Sequence, residues 1–418
     1  MSTTLRAAAL LSLAVGSSVS AQEPTYRVVV ALKNSGAGIQ SAQRRVAGVL
    51  DGRLGRVSAL YSMIPAFSAV VTREGWAALA AQPDVSRVDL DEAAEVTSSK
   101  VTSAARSLDV SKMGLTGKGV TVAVIDTGID SSHRDLAGAI VDEACFCMNA
   151  QGQPCCPNGT NRQFGLGSAS DDNGHGTHLA GIIAGRGKVA PRGLAPNAYL
   201  VAIKIADANG STSTWSMLAA LDWLATSQKD VQVVNMSLGT SVTYTGSCDK
   251  ASSITSSLAS AGQTLRNRGA VIVAAAGNSG LTDKMSAPAC VTGFLSVGAL
   301  HGQGDRANSS NGCTDVKTAE DKVACFSNSS SALALLAPGA GIVSANRGGG
   351  SAIGSGTSQA AAVVSGAVAL LIEGAPRAGS QVDAALQASG ASVTDSRNGR
   401  ATHRLDVRAA LTALGGGN

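Results

Sequence analysis

The alternation of hydrophobic and polar positions divides the chain into a short N-terminal unit and a longer C-terminal unit. Between residues 26 and 90, brief apolar runs alternate with segments whose apolar residues recur at helical spacing. This pattern predicts the order β-α-β-β-α-β, the small ferredoxin-like α+β arrangement. The predicted elements are strand 26–32, helix 38–50, strand 56–61, strand 66–72, helix 73–81 and strand 85–90.

A second pattern begins at Gly119, where mostly apolar strands alternate with longer helical segments. A strand that is apolar at nearly every position, such as 120–125, suits a parallel sheet covered by helices on both faces. We therefore predict an α/β fold with a doubly covered parallel sheet. Its predicted strands are 120–125, 199–205, 231–238 and 270–276, and its predicted helices are 175–184, 212–225, 253–268, 357–372, 381–388 and 407–414.

The first 21 residues have the pattern of a secretion signal. Arg6 supplies a positive charge, residues 7–15 are apolar, and small residues end the segment at Ala21. The apolar run is too short to span a bilayer, which needs about 20 residues. We expect a signal peptide at 1–21 and a secreted bacterial protein without a membrane anchor. A buried N-terminal helix is the alternative.

Composition limits the partners and the compartment. Only 15% of the residues are charged, against roughly 25% in typical domains, and glycine accounts for 49 of 418 residues. These proportions suit a compact, loop-rich extracellular enzyme. The net charge of +4 is small and no clustered Lys/Arg face accompanies it, so we expect no nucleic-acid partner. We also expect a monomer.

Eight cysteines agree with secretion, because an even number in a secreted chain favours disulfides. Cys313 and Cys325 are close enough in sequence to close a small ring, and Cys248 with Cys290 is a plausible longer pair. The other four crowd one loop, where the pairing stays open and a zinc site is the alternative to two disulfides. Their spacing differs from the usual C-x₂₋₄-C of structural zinc. These four are Cys145, Cys147, Cys155 and Cys156.

Three short motifs carry the candidate chemistry. Asp126 stands in Val-Ile-Asp-Thr-Gly, His175 in Asp-Asn-Gly-His-Gly-Thr-His, and Ser358 in Gly-Thr-Ser-Gln-Ala. A serine hydroxyl is a poor nucleophile until an imidazole accepts its proton and a carboxylate orients that imidazole. The motifs supply one group of each kind, flanked by glycines and small residues that let a substrate approach the backbone.

The three motifs, in the chain order Asp, His, Ser, resemble those of the subtilisin-like serine proteases, the subtilases. A fourth segment, Ala-Ala-Ala-Gly followed by Asn278, is similar to the segment that carries the family's oxyanion asparagine. Chymotrypsin-type enzymes and α/β-hydrolases place the same three groups in other orders. The resemblance extends from about Gly119 to Leu414 and implies a subtilisin-like serine endopeptidase.

The resemblance implies a role for each motif residue. Ser358 would attack the scissile carbonyl, His175 would act as general base and then general acid, and Asp126 would orient the imidazole. Asn278 and the backbone N–H of Ser358, at the start of a helix, would hold the oxyanion. His178, three residues after His175, would be structural.

Two positions after the nucleophile depart from the family pattern, which commonly has Met and Pro there. They are Gln359 and Ala362. The helix should survive because Ala favours helix more than Pro does, whereas the polar Gln359 could alter leaving-group binding. Three further histidines are expected on the surface or in loops, without a catalytic role: His133, His301 and His403.

The resemblance also implies which part of the chain binds the substrate. An edge strand would pair with the substrate main chain and a facing wall would line the first specificity pocket, which gives affinity with little sequence selectivity. Small residues at these walls favour broad specificity with an apolar preference, and no carboxylate can be placed at the pocket base. The strand is Ser237, Leu238 and Gly239, and the wall is Ala275, Ala276 and Gly277.

The N-terminal unit, residues 22–97, is similar to the inhibitory propeptide that precedes subtilase catalytic domains. It holds no catalytic constellation, so we expect it to assist folding and to inhibit its own enzyme; a permanently attached binding domain is the alternative. Residues 92–106 are rich in Ala, Ser and Thr and are the expected cleavage region, with the bond between Glu92 and Ala105. The peptidase domain would span 98–414, followed by a flexible tail at 415–418.

The implied chemistry requires no cofactor, and proteins or peptides are the expected substrates. Many subtilases hold structural calcium, which takes six to eight oxygens. Asp171, Asp172, Asn173 and Asp207 suggest such a site, although no EF-hand spacing occurs. Two other functions stay open: transfer of the acyl-enzyme to an amine, giving peptide ligation, and peptide binding by an inactive protease scaffold.

Overall fold

The structure, a computed structural model, describes residues 23–33, 38–96, 99–100, 110, 113–302, 308–310, 312–316, 318–376 and 381–416. The expected signal peptide lies outside these residues, as do the junction at 97–98 and the last two residues of the expected tail. The described residues form an N-terminal α+β unit and a larger α/β unit.

The N-terminal unit has the predicted order of elements. They are β1 (Tyr26–Leu32), α1 (Ile39–Ala47), β2 (Gly55–Leu60), β3 (Ala66–Val71), α2 (Arg73–Ala80) and β4 (Val85–Leu90). The strands form an antiparallel sheet in the order β2-β3-β1-β4. Helix α2 begins where predicted because the Thr72 hydroxyl caps it, accepting from the N–H of Gly75 at 3.2 Å.

The α/β unit contains one large sheet and several smaller sheets. Its described strands are β5 (Ala93–Val96), β6 (Ser99–Lys100), β7 (Thr121–Asp126), β8 (Ile140–Cys145), β9 (Gln163–Phe164), β10 (Tyr199–Lys204), β11 (Ser211–Ser213), β12 (Val231–Met236), β13 (Leu238–Thr240), β14 (Thr243–Thr245), β15 (Val271–Ala275), β16 (Lys284–Ser286), β17 (Phe294–Leu300), β18 (Asn308–Ser310), β19 (Cys313–Asp315), β20 (Leu335–Pro338), β21 (Ile342–Asn346), β22 (Gly350–Ser355), β23 (Ser392–Thr394) and β24 (Ala401–His403). The large sheet has the order β20-β17-β15-β12-β7-β10-β8-β9, and its pairs are parallel except β8 with β9 at one edge. The predicted parallel sheet is confirmed.

Helices cover both faces of this sheet. They are α3 (His175–Ala184), α4 (Thr214–Ser227), α5 (Ser253–Arg266), α6 (Thr357–Gly374), α7 (Val382–Ala388) and α8 (Val407–Ala413). Helices α3 and α6 pack against one face of the sheet and form one hydrophobic core with it. Helices α4 and α5 pack against the opposite face and form a second core. Among the described residues, α6 alone is long and apolar enough to cross a membrane, but it is largely buried, as in the core helix of a soluble protein.

Residues 93–96, which fall in the expected cleavage region, form β5, and this changes two predicted boundaries. Strand β11 pairs with β5, so the helix predicted from residue 212 begins at Thr214. Strand β13 also pairs with β5, so the strand predicted at 231–238 ends at Met236. Backbone pairing with a distant segment overrides the local pattern in both places.

Two of the histidines expected on the surface or in loops lie in loops but are buried rather than exposed. His133 is 0% exposed, and its Nε2 lies 2.8 Å from the carbonyl oxygen of Gly350. His301 is 1% exposed, and its Nε2 lies 2.9 Å from a carboxylate oxygen of Asp315. A polar side chain can be buried when it is hydrogen-bonded in this way.

The two faces of the N-terminal sheet are buried in different cores. Val28 and Val30 pack with α1 and α2 in a core of their own. Val29, between them, points to the opposite face and joins Tyr61 and Ile64 in the core of α4 and α5. The N-terminal unit therefore completes one face of the α/β unit.

All eight cysteines are paired. The crowded loop forms two disulfides rather than a zinc site, and the other two pairs are those predicted. Each disulfide is expected to add about 2–4 kcal/mol to the free energy of unfolding. The bonds are Cys145–Cys156, Cys147–Cys155, Cys248–Cys290 and Cys313–Cys325.

Candidate active site

Asp126 and His175 meet where β7 ends and α3 begins. His175 Nδ1 lies 2.7 Å from Asp126 Oδ1, and both side chains are almost fully buried. The same carboxylate oxygen accepts from the N–H of Thr127 at 2.8 Å, which fixes its position. If Nδ1 carries the proton it donates to Asp126, and Nε2 on the far side of the ring is then a base.

Two glycines allow α3 to begin against β7. Gly174 precedes the helix with φ of 111°, in the left-handed region that favours glycine. A Cβ at Gly176 would lie 2.1 Å from the carbonyl oxygen of Gly128, so no larger residue fits there. The glycines of the histidine motif thus bring His175 to the end of β7.

Asp171 holds the segment that leads into α3. One carboxylate oxygen accepts from the Thr127 hydroxyl and from the N–H groups of Asn173 and Gly174, at 2.8–3.0 Å. The other accepts from the hydroxyl and the N–H of Thr177. Both oxygens are therefore used to shape the site.

Ser358 lies at the start of α6 and is fully buried. Its hydroxyl donates to the carbonyl oxygen of Ser237 at 3.1 Å, and the Ser237 hydroxyl donates back to the Ser358 carbonyl at 3.2 Å. Helix α3 packs against α6, so His175 and Ser358 stand at the N-termini of adjacent helices. Gln359, the departure from the family pattern next to Ser358, is 1% exposed and lies beside Gly354.

Asn278 follows β15, and its side-chain amide has a fixed orientation. Its Oδ1 accepts from the N–H of Thr357 at 2.8 Å and from the Thr357 hydroxyl at 2.9 Å. The same hydroxyl accepts from the N–H of Gly277 at 3.0 Å. Because Oδ1 is held toward α6, the donor Nδ2 is directed away from it. Sequence reasoning missed Thr357, although it stands next to Ser358 in the serine motif.

A strand of the chain itself, β5, fills the groove between β11 and β13. It pairs antiparallel with β11 on one side and with β13 on the other. Strand β13 follows Ser237, whose carbonyl accepts from Ser358. Strand β6, which follows β5 in the chain, pairs with β22 up to Ser355.

The profile of the subtilase family (Peptidase_S8) matches residues 117–403. The chain belongs to this family. It is 30% identical to Subtilisin E from Bacillus subtilis (strain 168), over 84% of this chain and 81% of that protein. It is 35% identical to an extracellular serine proteinase from Thermus sp. (strain Rt41A), over 65% of this chain and 55% of that protein.

A solved structure supports the subtilase fold. Fervidolysin from Fervidobacterium pennivorans, described as a keratinolytic enzyme related to subtilisin, matches with a TM-score of 0.67 at 20% identity. The match covers 93% of this chain and 61% of fervidolysin, so this subtilase spans about three fifths of that structure. Family membership makes the chain a serine endopeptidase that acts on proteins or peptides and needs no cofactor for catalysis.

A cavity of about 500 Å³ lies beside β5 in this subtilase. Four of the predicted substrate-binding residues line it: Leu238, Gly239, Ala275 and Gly277. The other two, Ser237 and Ala276, are buried and do not line it. Sequence reasoning missed Ser286, at the end of β16, which lines the same cavity. Apart from Glu95 of β5 itself, the residues that line the cavity are uncharged.

His178 is held apart from the Asp126–His175 pair. Burial lowers the pKa of His178 to about 4, so the side chain is neutral near pH 7. Its Nε2 lies 3.2 Å from the carbonyl oxygen of Ala352 in β22. These contacts favour the structural role expected for His178.

The residues that suggested calcium do not gather into a cation site. Asp172 pairs with the buried Lys204 at 2.6 Å, and Asp207 accepts from the N–H groups of Asn209 and Ser211 at 2.9 Å. In the part of the chain that the structure describes, no group of three or more His, Cys, Asp or Glu side chains could hold a metal. The four suggested residues therefore do not fit one shared calcium ion.

Proposed function

We propose that this subtilase is a secreted endopeptidase that works through Asp126, His175 and Ser358 and matures by cleaving its own propeptide. One observation carries the proposal: β5 lies between β11 and β13 in the antiparallel pairing that an extended peptide substrate would adopt. The groove beside the nucleophile is thus already shaped to hold a peptide backbone.

In the proposed reaction, Ser358 Oγ attacks the scissile carbonyl carbon while His175 Nε2 takes the hydroxyl proton. Asp126, 2.7 Å from Nδ1, keeps the ring in the required tautomer and stabilises the imidazolium. His175 then gives the proton to the leaving amine. Water hydrolyses the acyl-enzyme with the same groups, which restores Ser358.

Negative charge develops on the carbonyl oxygen during the attack. Asn278 Nδ2 and the N–H of Ser358 are the proposed donors to that oxygen. The N–H groups in the first turn of α6 have no partner within the helix, and the helix dipole favours negative charge there. Thr357 orients Asn278 before substrate arrives, so little reorganisation is needed during the reaction.

Strands β5 and β6 flank the nucleophile, which supports cleavage between them. Strand β5 ends at Val96 alongside β13, which directly follows Ser237. Strand β6 begins at Ser99, paired with Ser355, three residues before Ser358. Residues 97 and 98 connect the two strands. We place the cleavage after residue 97, which gives a propeptide of 22–97 and a peptidase domain of 98–414.

Contacts outside the groove support the role of residues 22–97 as an intramolecular inhibitor. Asp222 in α4 accepts from the N–H groups of Ser62 and Met63 at 2.8 and 2.7 Å. Asp89 in β4 accepts from the N–H of Ser253 at 2.6 Å. These bonds do not depend on the peptide link after β5, so the unit would stay bound once that link is cut.

The cavity beside β5 has no charged residue in its lining other than Glu95 of β5 itself, which favours broad specificity with an apolar preference on the acyl side of the cleaved bond. A buried carboxylate would be needed to select Arg or Lys, and the lining outside β5 contains none. A panel of peptides that differ at this position tests the preference through kcat/KM. Strict selection of Arg or Lys would overturn it.

Secretion is part of the proposal. It rests on the pattern of residues 1–21, on the disulfides, which persist in oxidising compartments, and on a relative that is itself named as extracellular.

Intact-mass analysis of the secreted chain tests self-maturation. Wild type should lose residues 1–97, whereas Ser358→Ala should lose the signal peptide and keep the N-terminal unit. Ser365→Ala is a matched control, because Ser365 lies in the same helix and bonds to Asn235 rather than to the groove. If Ser358→Ala matures like wild type, another protease does the processing. If wild type keeps the unit, the unit is a permanent domain; either result overturns self-maturation.

A further inference from the structure

Asn328 holds one side of the segment that carries Asn278, although it comes from a distant part of the chain. It is 1% exposed and follows the disulfide at Cys325. Its Nδ2 donates to the carbonyl oxygen of Ala276 at 3.1 Å, and its backbone N–H donates to the carbonyl oxygen of Gly277 at 2.9 Å. The two carbonyls immediately before Asn278 are therefore fixed by one residue.

The same side chain holds the other side of Asn278. Asn328 Oδ1 accepts from the N–H groups of Ser279 and Leu281, both at 3.0 Å. Two donors to one amide atom and one acceptor at the other define the orientation of the Asn328 amide. Segment 276–281 is thus held at four points around the proposed oxyanion donor.

Gly277 makes this close contact possible. Its φ of 105° lies in the region that favours glycine, and a Cβ there would lie 2.3 Å from Asn328 Nδ2. A side chain at this position would push Asn328 out of its place. Gly277 and Asn328 are therefore fitted to each other.

We propose that Asn328 is a positioning residue for the oxyanion hole, which fixes the backbone on both sides of Asn278 so that its amide meets the developing oxyanion. The inference rests on the oxyanion role proposed above for Asn278. An oxyanion donor works only within a narrow range of distances from the transition state, and a displacement of about 1 Å can cost about 10²-fold in rate. Losing Asn328 should therefore lower kcat and leave KM nearly unchanged.

The test compares kcat and KM of the mature enzyme for a peptide p-nitroanilide, with active sites counted by titration with an acylating inhibitor. Asn278→Ala should lower kcat by about 10²–10³-fold. Asn328→Ala should lower it by about 10- to 100-fold, with KM within about twofold. Ser327→Ala is the control, because its buried hydroxyl accepts from the N–H of Ala299 in β17 and donates to the backbone carbonyl of Asn328, without a bond to segment 276–281.

A double-mutant cycle separates positioning from a general structural role. If Asn328 acts through Asn278, then Asn328→Ala should lower kcat less than about threefold in the Asn278→Ala background. The inference is overturned if Asn328→Ala lowers kcat by the same factor in the wild-type enzyme and in the Asn278→Ala variant. It is also overturned if Asn328→Ala leaves kcat of the wild-type enzyme unchanged. If Asn278→Ala itself leaves kcat unchanged, the proposed oxyanion role fails and the inference fails with it.

Asn328→Asp keeps the test decisive if truncation prevents folding. It retains the volume and both acceptor contacts, and it removes the donor to Ala276 by placing a carboxylate oxygen against that carbonyl. The expected result is the same: Asn328→Asp should lower kcat of the otherwise wild-type enzyme and should cause little further loss of kcat in the Asn278→Ala variant. A uniform loss in both backgrounds would again overturn the inference.

Discussion

The two faces of the main sheet use the same helical feature for different purposes. Helices of a parallel α/β sheet run opposite to its strands, so their N-termini gather at the edge where the strands end. On one face, α3 begins at His175 and α6 carries Ser358 in its first turn. On the other, α4 and α5 begin at residues that bind carboxylates of the N-terminal unit. Asp91 accepts from the first turn of α4, and Asp89 from the N–H of Ser253 at the start of α5.

The difference lies in when the negative charge is present. The first turn of a helix offers N–H groups that have no partner inside the helix, together with a partial positive charge. On the α4/α5 face these groups are matched by acidic side chains for as long as the N-terminal unit is bound. On the other face Asp171 matches the first turn of α3 permanently, whereas the first turn of α6, in the proposed mechanism, acts on a charge that exists only during the reaction. Substitutions on the first face should alter propeptide retention, and those on the second should alter kcat.

The largest expected effect is on the α3/α6 face. Asp126→Ala should lower kcat about 10⁴-fold, because nothing then fixes the His175 tautomer or stabilises its imidazolium. Steady-state hydrolysis of a peptide amide measures the loss, with folding checked by circular dichroism. His178→Gln, a buried change in the same helix, is the matched control and should alter kcat less than about threefold. A comparable loss in the control would contradict separate roles for the two histidines.

A smaller effect is expected on the α4/α5 face. Asp91→Ala removes the acceptor of the Thr214 hydroxyl and the Trp215 N–H and leaves both donors unpaired. Release of the processed propeptide should become about 10- to 100-fold faster, while kcat stays the same. The rate at which activity appears after processing measures release. Asp84→Ala, which removes an exposed ion pair with Arg45, is the control. An unchanged rate of release with Asp91→Ala would contradict the role given to this contact.

The smallest expected effect is a pH dependence on the α4/α5 face. Burial raises the pKa of Glu92 from its usual 4.5 to about 7, with Asp89 and Asp91 adding to the shift. Glu92 lies between β4 and β5 and bonds through its backbone to Thr214. The bound state therefore favours the protonated carboxyl. Glu92 therefore contributes fully to propeptide binding below its usual pKa of 4.5, and this contribution is lost as the pH rises to about 7.

Propeptide affinity should accordingly fall roughly tenfold or more between pH 5 and pH 7. Glu92→Gln should flatten this dependence, as measured by inhibition of the mature enzyme across that range. Burial also raises the pKa of Asp91, so this residue should likewise make propeptide affinity fall as the pH rises. An unchanged slope in Glu92→Gln would show that another group is responsible. Burial keeps the pKa of His178 near 4, so that residue should add nothing above pH 5.

The sequence predicted the candidate catalytic residues because each stands in a short motif whose geometry is encoded nearby. Gly174 and Gly176 let α3 begin at His175, and the run of small and apolar residues after Ser358 forms the buried helix α6. Strands of the N-terminal unit were predicted well for a similar reason, since the short apolar runs along β1 and β3 match the side chains that are buried.

Contacts between distant segments were not predictable in this way. Thr212 fits a helical pattern, and only its pairing with β5 assigns it to a strand. Asn328 stands among serines and looks like an ordinary loop residue until the fold places it against Ala276. His301 is buried because Asp315 comes to lie beside it. The supporting contacts of the site thus depend on tertiary structure rather than on local pattern.

The position of β5 in the groove also determines which step of activation depends on protein concentration. While β5 is joined to β6, the groove and its occupant belong to one molecule, so a cleavage there would be first-order and insensitive to dilution. Once that link is cut, the same pairing becomes a bimolecular equilibrium whose occupancy falls as the protein is diluted. The volume into which the chain is released would then set how much of the enzyme is active.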